Sequence, residues 1–260
     1  MKNELSDGLS KVPAVTLGFW IIKILATTLG ETGGDAVTMT VFHADTNAHN
    51  GGYLIGTGIF LAIFIAAVAV QISTKQFSAW VYWFAIVAST TVGTAMADFF
   101  DRSLGISYTG GASILFLLVL ASLALWYFAT GTVDVMTVAP PKVEVFYWVT
   151  ITFSQTLGTA LGDWLADTGG LGYEGGAIVF GAALVIIAGL YYWTKVSHVL
   201  LFWAAFILTR PLGATIGDFL DKPISHGGVN LSRPLASAVL AAAIIGLILL
   251  LPQRAGRHPA

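Results

Sequence analysis

WIIKILATTLGETGGD, the stretch from Trp20 to Asp35, decides how this chain is read, because its frame returns three more times. WFAIVASTTVGTAMAD runs from Trp83 to Asp98, WVTITFSQTLGTALGD from Trp148 to Asp163, and WAAFILTRPLGATIGD from Trp203 to Asp218. Each opens on Trp, has Gly ten residues later (Gly30, Gly93, Gly158, Gly213) and closes on Asp fifteen residues after the Trp. Each copy therefore sets a carboxylate at the far end of a mostly apolar run. A charge at the bilayer centre costs about 2.5–3.5 kcal/mol, and less toward the ends of a span. Fourfold retention of so costly a group argues against a purely structural role.

Composition sets the class. Of 260 residues, 56% are hydrophobic and only 10% charged, with mean hydropathy +0.81, against about 25% charged residues in ordinary soluble domains. This is the composition of an integral membrane protein. No basic tract suited to nucleic acid is present, so no nucleic-acid partner is expected. No Cys is present, so disulfides and thiolate metal sites are excluded. The first apolar run, from near Val12 past Ala26, outlasts the 7–15 residues of a signal-peptide core and contains the first motif, so a cleaved leader is not expected.

A spanning helix needs about 20 mainly apolar residues, and eight such segments can be read: 13–38, 53–72, 79–100, 109–130, 144–166, 174–194, 198–220 and 233–251. They pair into repeats 13–75, 76–140, 141–195 and 196–252 of one transmembrane domain covering 1–260. The expected fold is all-α: eight transmembrane helices built from four parallel two-helix repeats around a pseudo-symmetric centre. Lys2, Lys11, Lys75, Lys142, Lys195, Arg254 and Arg257 fall at the termini and even-to-odd connections, against Arg102, Lys222 and Arg233 on the other side. That bias predicts cytoplasmic termini in a bacterial-type inner membrane. Ten of the fourteen acids gather at the opposite mouth, where they would concentrate cations.

On a helical wheel of about 100° per residue, residues 7, 8, 11, 15 and 18 after each Trp form one polar stripe. The four stripes comprise Thr27, Thr28, Glu31, Asp35 and Thr38; Thr90, Thr91, Thr94, Asp98 and Asp101; Gln155, Thr156, Thr159, Asp163 and Ala166; and Arg210, Pro211, Ala214, Asp218 and Asp221. Polar stripes face a bundle interior or a water-filled cavity. Thr28, Thr91, Thr94, Gln155, Thr156 and Thr159 are the expected pathway lining. Asp35, Asp98, Asp163, Asp218 and Glu31 are the candidate metal ligands, because carboxylate oxygens suit hard cations such as Mg²⁺, Ca²⁺ or Mn²⁺. Glu31 lies one turn before Asp35 and could share a metal ion or a proton with it. Glu31, Arg210 and Lys23 are the candidates for proton coupling or charge tuning, with Arg210 expected to pair with Glu31 or Asp163.

The remaining features have plainer expected roles. The four Gly suit close helix packing, the four Trp an aromatic belt at the interface, and Asp101 and Asp221 the membrane boundary. Pro211 should break or kink its helix. His43, Asp45 and His49 could form an accessory metal site in the longest outer loop, although a solvated loop is the simpler reading.

The four Trp with their downstream Gly and Asp resemble a bacterial membrane family known as a repeat of unknown function, in which four tandem repeats each contribute two transmembrane segments and a characteristic Trp. The likeness runs from about Pro13 to Leu251 and implies an architecture without an activity. Glu31-Thr-Gly-Gly-Asp35 is also loosely similar to the Glu-x-Gly-Asp element of some cation/proton exchangers, with its acids one residue further apart. The expectation is a secondary transporter of a divalent metal cation, coupled to protons and acting as an exporter. The alternatives are a passive cation or proton channel, and a metal-dependent intramembrane enzyme or lipid-binding protein. Catalysis is not expected, since no Ser/His/Asp set, His-rich metal motif or nucleotide loop is present. Expected partners are membrane lipid, with metal cation and proton as substrates and no resident cofactor. Eight helices can enclose a path in a monomer, and a homo-oligomer is equally compatible.

Overall fold

The computed structural model describes residues 9–44 and 51–257. Asp45 and His49 of the expected accessory site, and Lys2, lie outside them. A short strand β1 (Leu9–Pro13) precedes eight long helices: α1 (Leu17–Asp35), α2 (Gly52–Ser73), α3 (Ala79–Asp98), α4 (Tyr108–Thr130), α5 (Pro141–Asp163), α6 (Gly172–Trp193), α7 (His198–Asp221) and α8 (Arg233–Leu250). Strand β2 (Ala255–Arg257) returns antiparallel to β1, tying both termini to one side. Six helices are long and apolar enough to cross a membrane by length and composition. The other two, α1 and α5, are of 19 and 23 residues and dilute their apolar content with the polar stripe. Large apolar side chains such as Ile65, Leu117, Phe128, Val185 and Leu249 point outward from the even helices. The chain is thus a multi-pass membrane protein.

The first helix starts later than its apolar run suggests, because Pro13 ends β1 and the Thr16 hydroxyl caps the helix by accepting from Phe19 N. Three odd helices share another local feature. Asp35, Asp98 and Asp163 are each the last α-helical residue before a wider π-helical turn, at Ala36–Val41, Phe99–Ser103 and Trp164–Thr168. The five-back hydrogen bonds of Phe42 N to Val37 O, Leu104 N to Phe99 O and Gly169 N to Trp164 O close these turns. Single π turns are frequent at functional sites. The fourth repeat differs: α7 stays α-helical to Asp221, and Pro211 does not break it. Its ring sits within a buried stretch packed on both sides, which holds the helix through the lost hydrogen bond.

The odd helices form a closed ring in the order α1, α3, α5, α7, back to α1. Each even helix packs chiefly on the odd helix of the next repeat: α2 on α3, α4 on α5, α6 on α7, and α8 on α1. The sequence repeat is therefore not the packing unit, and α8 closes the circle.

The ring has a cyclic register that the motif dictates. The aromatic residue before each Trp meets the Trp of the next helix, with centroids 5.4 Å apart for Phe19–Trp83, 6.0 Å for Tyr82–Trp148, 6.3 Å for Tyr147–Trp203 and 5.6 Å for Phe202–Trp20. These pairs plug one end of the ring. The expected aromatic belt is corrected accordingly: Trp83, Trp148 and Trp203 are buried and Trp20 is half-buried, while Trp80 and Trp193 are exposed. The Trp belong to the ring because Tyr82 and Tyr147 share a 2.7 Å hydrogen bond at its centre and Trp83 and Trp203 donate to Gln253 and to the Val133 carbonyl.

Ten residues after each Trp, the Gly meets the residue seven after the Trp on the next helix. Gly30 faces Thr90, Gly93 faces Gln155, Gly158 faces Arg210 and Gly213 faces Thr27. A Cβ at any of the four would come closer than 3.0 Å to that neighbour. The hydroxyls of Thr27 and Thr90 use this approach to donate across the interface, to Thr209 O and Ala26 O, both at 3.1 Å. One turn further on, Gly34 faces Thr94, Gly162 faces Ala214 and Gly217 faces Glu31. Small residues four apart at a helix contact are the membrane rule for close approach. The axis inside is filled: Lys23, Ile86, Ile151 and Phe206, then Thr27, Thr90, Gln155 and Arg210, are all fully buried.

Candidate cation site

Arg210 marks the centre, because it reaches a residue of every other repeat. Its Nη2 lies 2.8 Å from Glu31 Oε2, 2.6 Å from Thr94 Oγ1 and 2.5 Å from Thr159 Oγ1. Glu31, Thr94 and Thr159 all stand eleven residues after their Trp. The Arg210–Glu31 pair is buried on both sides. Glu31 is thereby the acid that Arg210 pairs with, and Thr94 O–H is also 3.3 Å from its carboxylate.

The four Asp fifteen residues after each Trp are not gathered on one cation. They divide into two pairs, each with a cation from just past the odd helix of the second or fourth repeat. Lys222 Nζ sits 2.5 Å from Asp35 Oδ2 and 3.0 Å from Asp218 Oδ1, with Asp221 at 4.0 Å. Arg102 Nε sits 2.6 Å from Asp98 Oδ1, and its Nη2 4.0 Å from Asp163 Oδ2. Carboxylate oxygens of Glu31, Asp35 and Asp218 lie within 4.8 Å of one another, and all three residues are buried. Three hard oxygen donors suit Mg²⁺, Ca²⁺ or Mn²⁺. Asp98 and Asp163 are not part of this cluster.

Lys222 follows α7 directly. Burial opposes its charge, but Asp218, Asp35 and Asp221 outweigh burial and raise its pKa well above the ordinary lysine value. Asp221 is buried beside Lys222, with Arg233 3.8 Å away, and so is not a solvated boundary marker. Lys23 is fully buried, its Nζ 4.1 Å from the Phe206 ring centre and without a hydrogen-bond partner among the described residues. It is not part of the acid cluster.

The expected lining residues separate by position. Thr94 and Thr159 reach Arg210, while Gln155 donates to Ser89 Oγ at 3.3 Å. Thr28, Thr91 and Thr156 instead donate to the carbonyls four residues back, Ile24, Val87 and Thr152. Thr94 and Thr159 make the same bond, to Thr90 O and Gln155 O, in addition to reaching Arg210. Of the His43, Asp45 and His49 trio only His43 is described, and it is exposed.

Lys222 and Arg102 escape a reading that counts them only as outer-loop charges. Their signal is local: Asp98-Phe-Phe-Asp101-Arg102 and Asp218-Phe-Leu-Asp221-Lys222 set an acid and a base four apart in the second and fourth repeats alone. A pseudo-twofold charge pattern is thus laid over the pseudo-fourfold helix ring.

A closed ring of parallel two-helix repeats, with buried acids countered at one end by a buried lysine and an exposed arginine, defines a multi-pass membrane protein built by internal repetition. The chain belongs to the family described as Repeat of Unknown Function (DUF347), whose model matches residues 18–77, 81–132, 146–197 and 201–254. No curated protein and no solved structure matches it.

Proposed function

We propose that the protein is a secondary transporter of a divalent metal cation that exports its ion in exchange for protons, from a bacterial-type inner membrane with both termini cytoplasmic. The observation that carries this reading is the Glu31–Asp35–Asp218 cluster, whose buried carboxylate oxygens lie within 4.8 Å of one another. An intramembrane ionisable group is a functional site by default, and three on one spot form a cation site by chemistry. Three carboxylates face two cations there, Arg210 and Lys222. One negative charge is left over, which a proton neutralises, whereas a divalent ion neutralises two and so calls for one of the resident cations to leave. The filled axis supports a transporter that must rearrange over a standing channel.

Ion flux in proteoliposomes tests the assignment. Asp35→Asn and Glu31→Gln are each expected to lower divalent-cation flux by at least about tenfold, the effect of roughly 1.4 kcal/mol on an ion-bound state. Unchanged flux in both variants would sink the proposal.

A further inference from the structure

We infer that Lys222 is a tethered counter-ion of the cation site, which the transported ion must displace from Asp35 and Asp218, while Arg102 is a fixed clamp on Asp98 and Asp163. This rests on the cation-transport reading and adds the element that regulates the site. Three observations converge on it. The Lys222 ammonium lies 2.5 Å and 3.0 Å from two of the three clustered carboxylates, so a cation already occupies that space. Asp35 is fully buried, and its second oxygen, Oδ1, has no hydrogen-bond partner among the described residues, so the site holds unused donor capacity. Lys222 also stands where the backbone leaves α7, in an extended conformation (φ −73°, ψ 153°), so its side chain is not carried by a helix face.

Arg102 differs in its backbone and in the acids that it holds, although Asp98, like Asp35, is buried with one oxygen, Oδ2, unpartnered among the described residues. It lies within a π-helical turn, and its guanidinium is a planar fork matched to carboxylates. The acids that it holds are outside the three-carboxylate cluster. A divalent ion bound at 2.0–2.6 Å from carboxylate oxygens cannot share Asp35 and Asp218 with an ammonium without strong repulsion. Binding therefore requires the lysine to leave, and the lysine's return favours release. The pseudo-twofold pattern becomes a division of labour: one pair exchanges its cation and the other holds the ring.

The test is Mn²⁺ binding to the full chain in lipid nanodiscs, followed by loss of the free-ion electron paramagnetic resonance signal. Lys222→Met is expected to tighten binding by about tenfold or more, Lys222→Arg to weaken it, and Arg102→Met not to tighten it. Equal affinity in the parent and a folded Lys222→Met, with binding still lost in Asp35→Asn, would overturn the inference and leave the transport reading standing. Absence of Mn²⁺ binding in both folded proteins would overturn the two together. Should Lys222→Met not fold, amine acylation of the parent, read by mass spectrometry, decides: Mn²⁺ is expected to raise labelling of Lys222, and unchanged labelling overturns the inference.

Discussion

Arg210→Met is expected to destabilise the protein by about 3–5 kcal/mol, the cost of removing one partner from a buried ion pair. Arg210 is fully buried and binds Glu31, Thr94 and Thr159, so it ties the fourth repeat to each of the other three. Methionine fills much of the same space and leaves the Glu31 carboxylate on the axis without its cation. The loss should consequently shrink when Glu31→Gln is added, because the amide needs no counter-charge. Unfolding in a denaturing detergent series, run as a double-mutant cycle, separates the pair from the packing. An Arg210→Met protein within about 0.5 kcal/mol of the parent, the range of an inconsequential surface change, would contradict the placement of Arg210 at the centre.

Gly30→Ala is expected to destabilise by about 1–3 kcal/mol, the range for overpacking. Propensity alone predicts the opposite sign, since Ala favours a helix interior by about 1 kcal/mol over Gly. Packing wins because the added Cβ would strike the Thr90 side chain and come within 2.9 Å of its backbone carbon. Relief requires α1 and α3 to separate, which also breaks the Thr90 hydrogen bond to Ala26 O and the Thr94 bond to Gly30 O at 3.2 Å. Gly181 in α6 is the control, for an added Cβ there meets nothing within 4 Å. Gly181→Ala should be neutral or stabilising in the same unfolding series. Matching effects at the two positions would contradict the tight cyclic register.

The Trp-to-Asp spacing made the ring's composition readable. Four equal intervals imply four equivalent helices in one orientation, and equivalence leads to a closed ring. The Arg210–Glu31 pair was readable as one of two choices, since a buried cation needs an acid and few acids were in reach. The docking of each even helix on the next repeat was not readable, because α2, α4, α6 and α8 are apolar on nearly every side and carry no mark of their partner. The inward place of the Trp is not readable, because hydropathy places them at a span's end without saying which way they face. It is the aromatic residue before each one, Phe19, Tyr82, Tyr147 or Phe202, that completes an inward circuit. Lys222 and Arg102 read as loop charges by their place between helices, although their four-residue offset from Asp218 and Asp98 draws them into the site. The split of four Asp into two pairs follows from that offset in alternate repeats and from nothing in the shared motif.

The most direct measurement is Mn²⁺ movement in proteoliposomes containing the parent protein, with internal metal and internal pH followed together by two dyes. An imposed proton gradient is expected to drive Mn²⁺ across the membrane against its own gradient, with a matching proton movement in the opposite direction. Asp218→Asn should abolish both signals. Mn²⁺ and proton traces no different from protein-free liposomes would contradict the account. Metal movement indifferent to the proton gradient would contradict exchange and leave a channel.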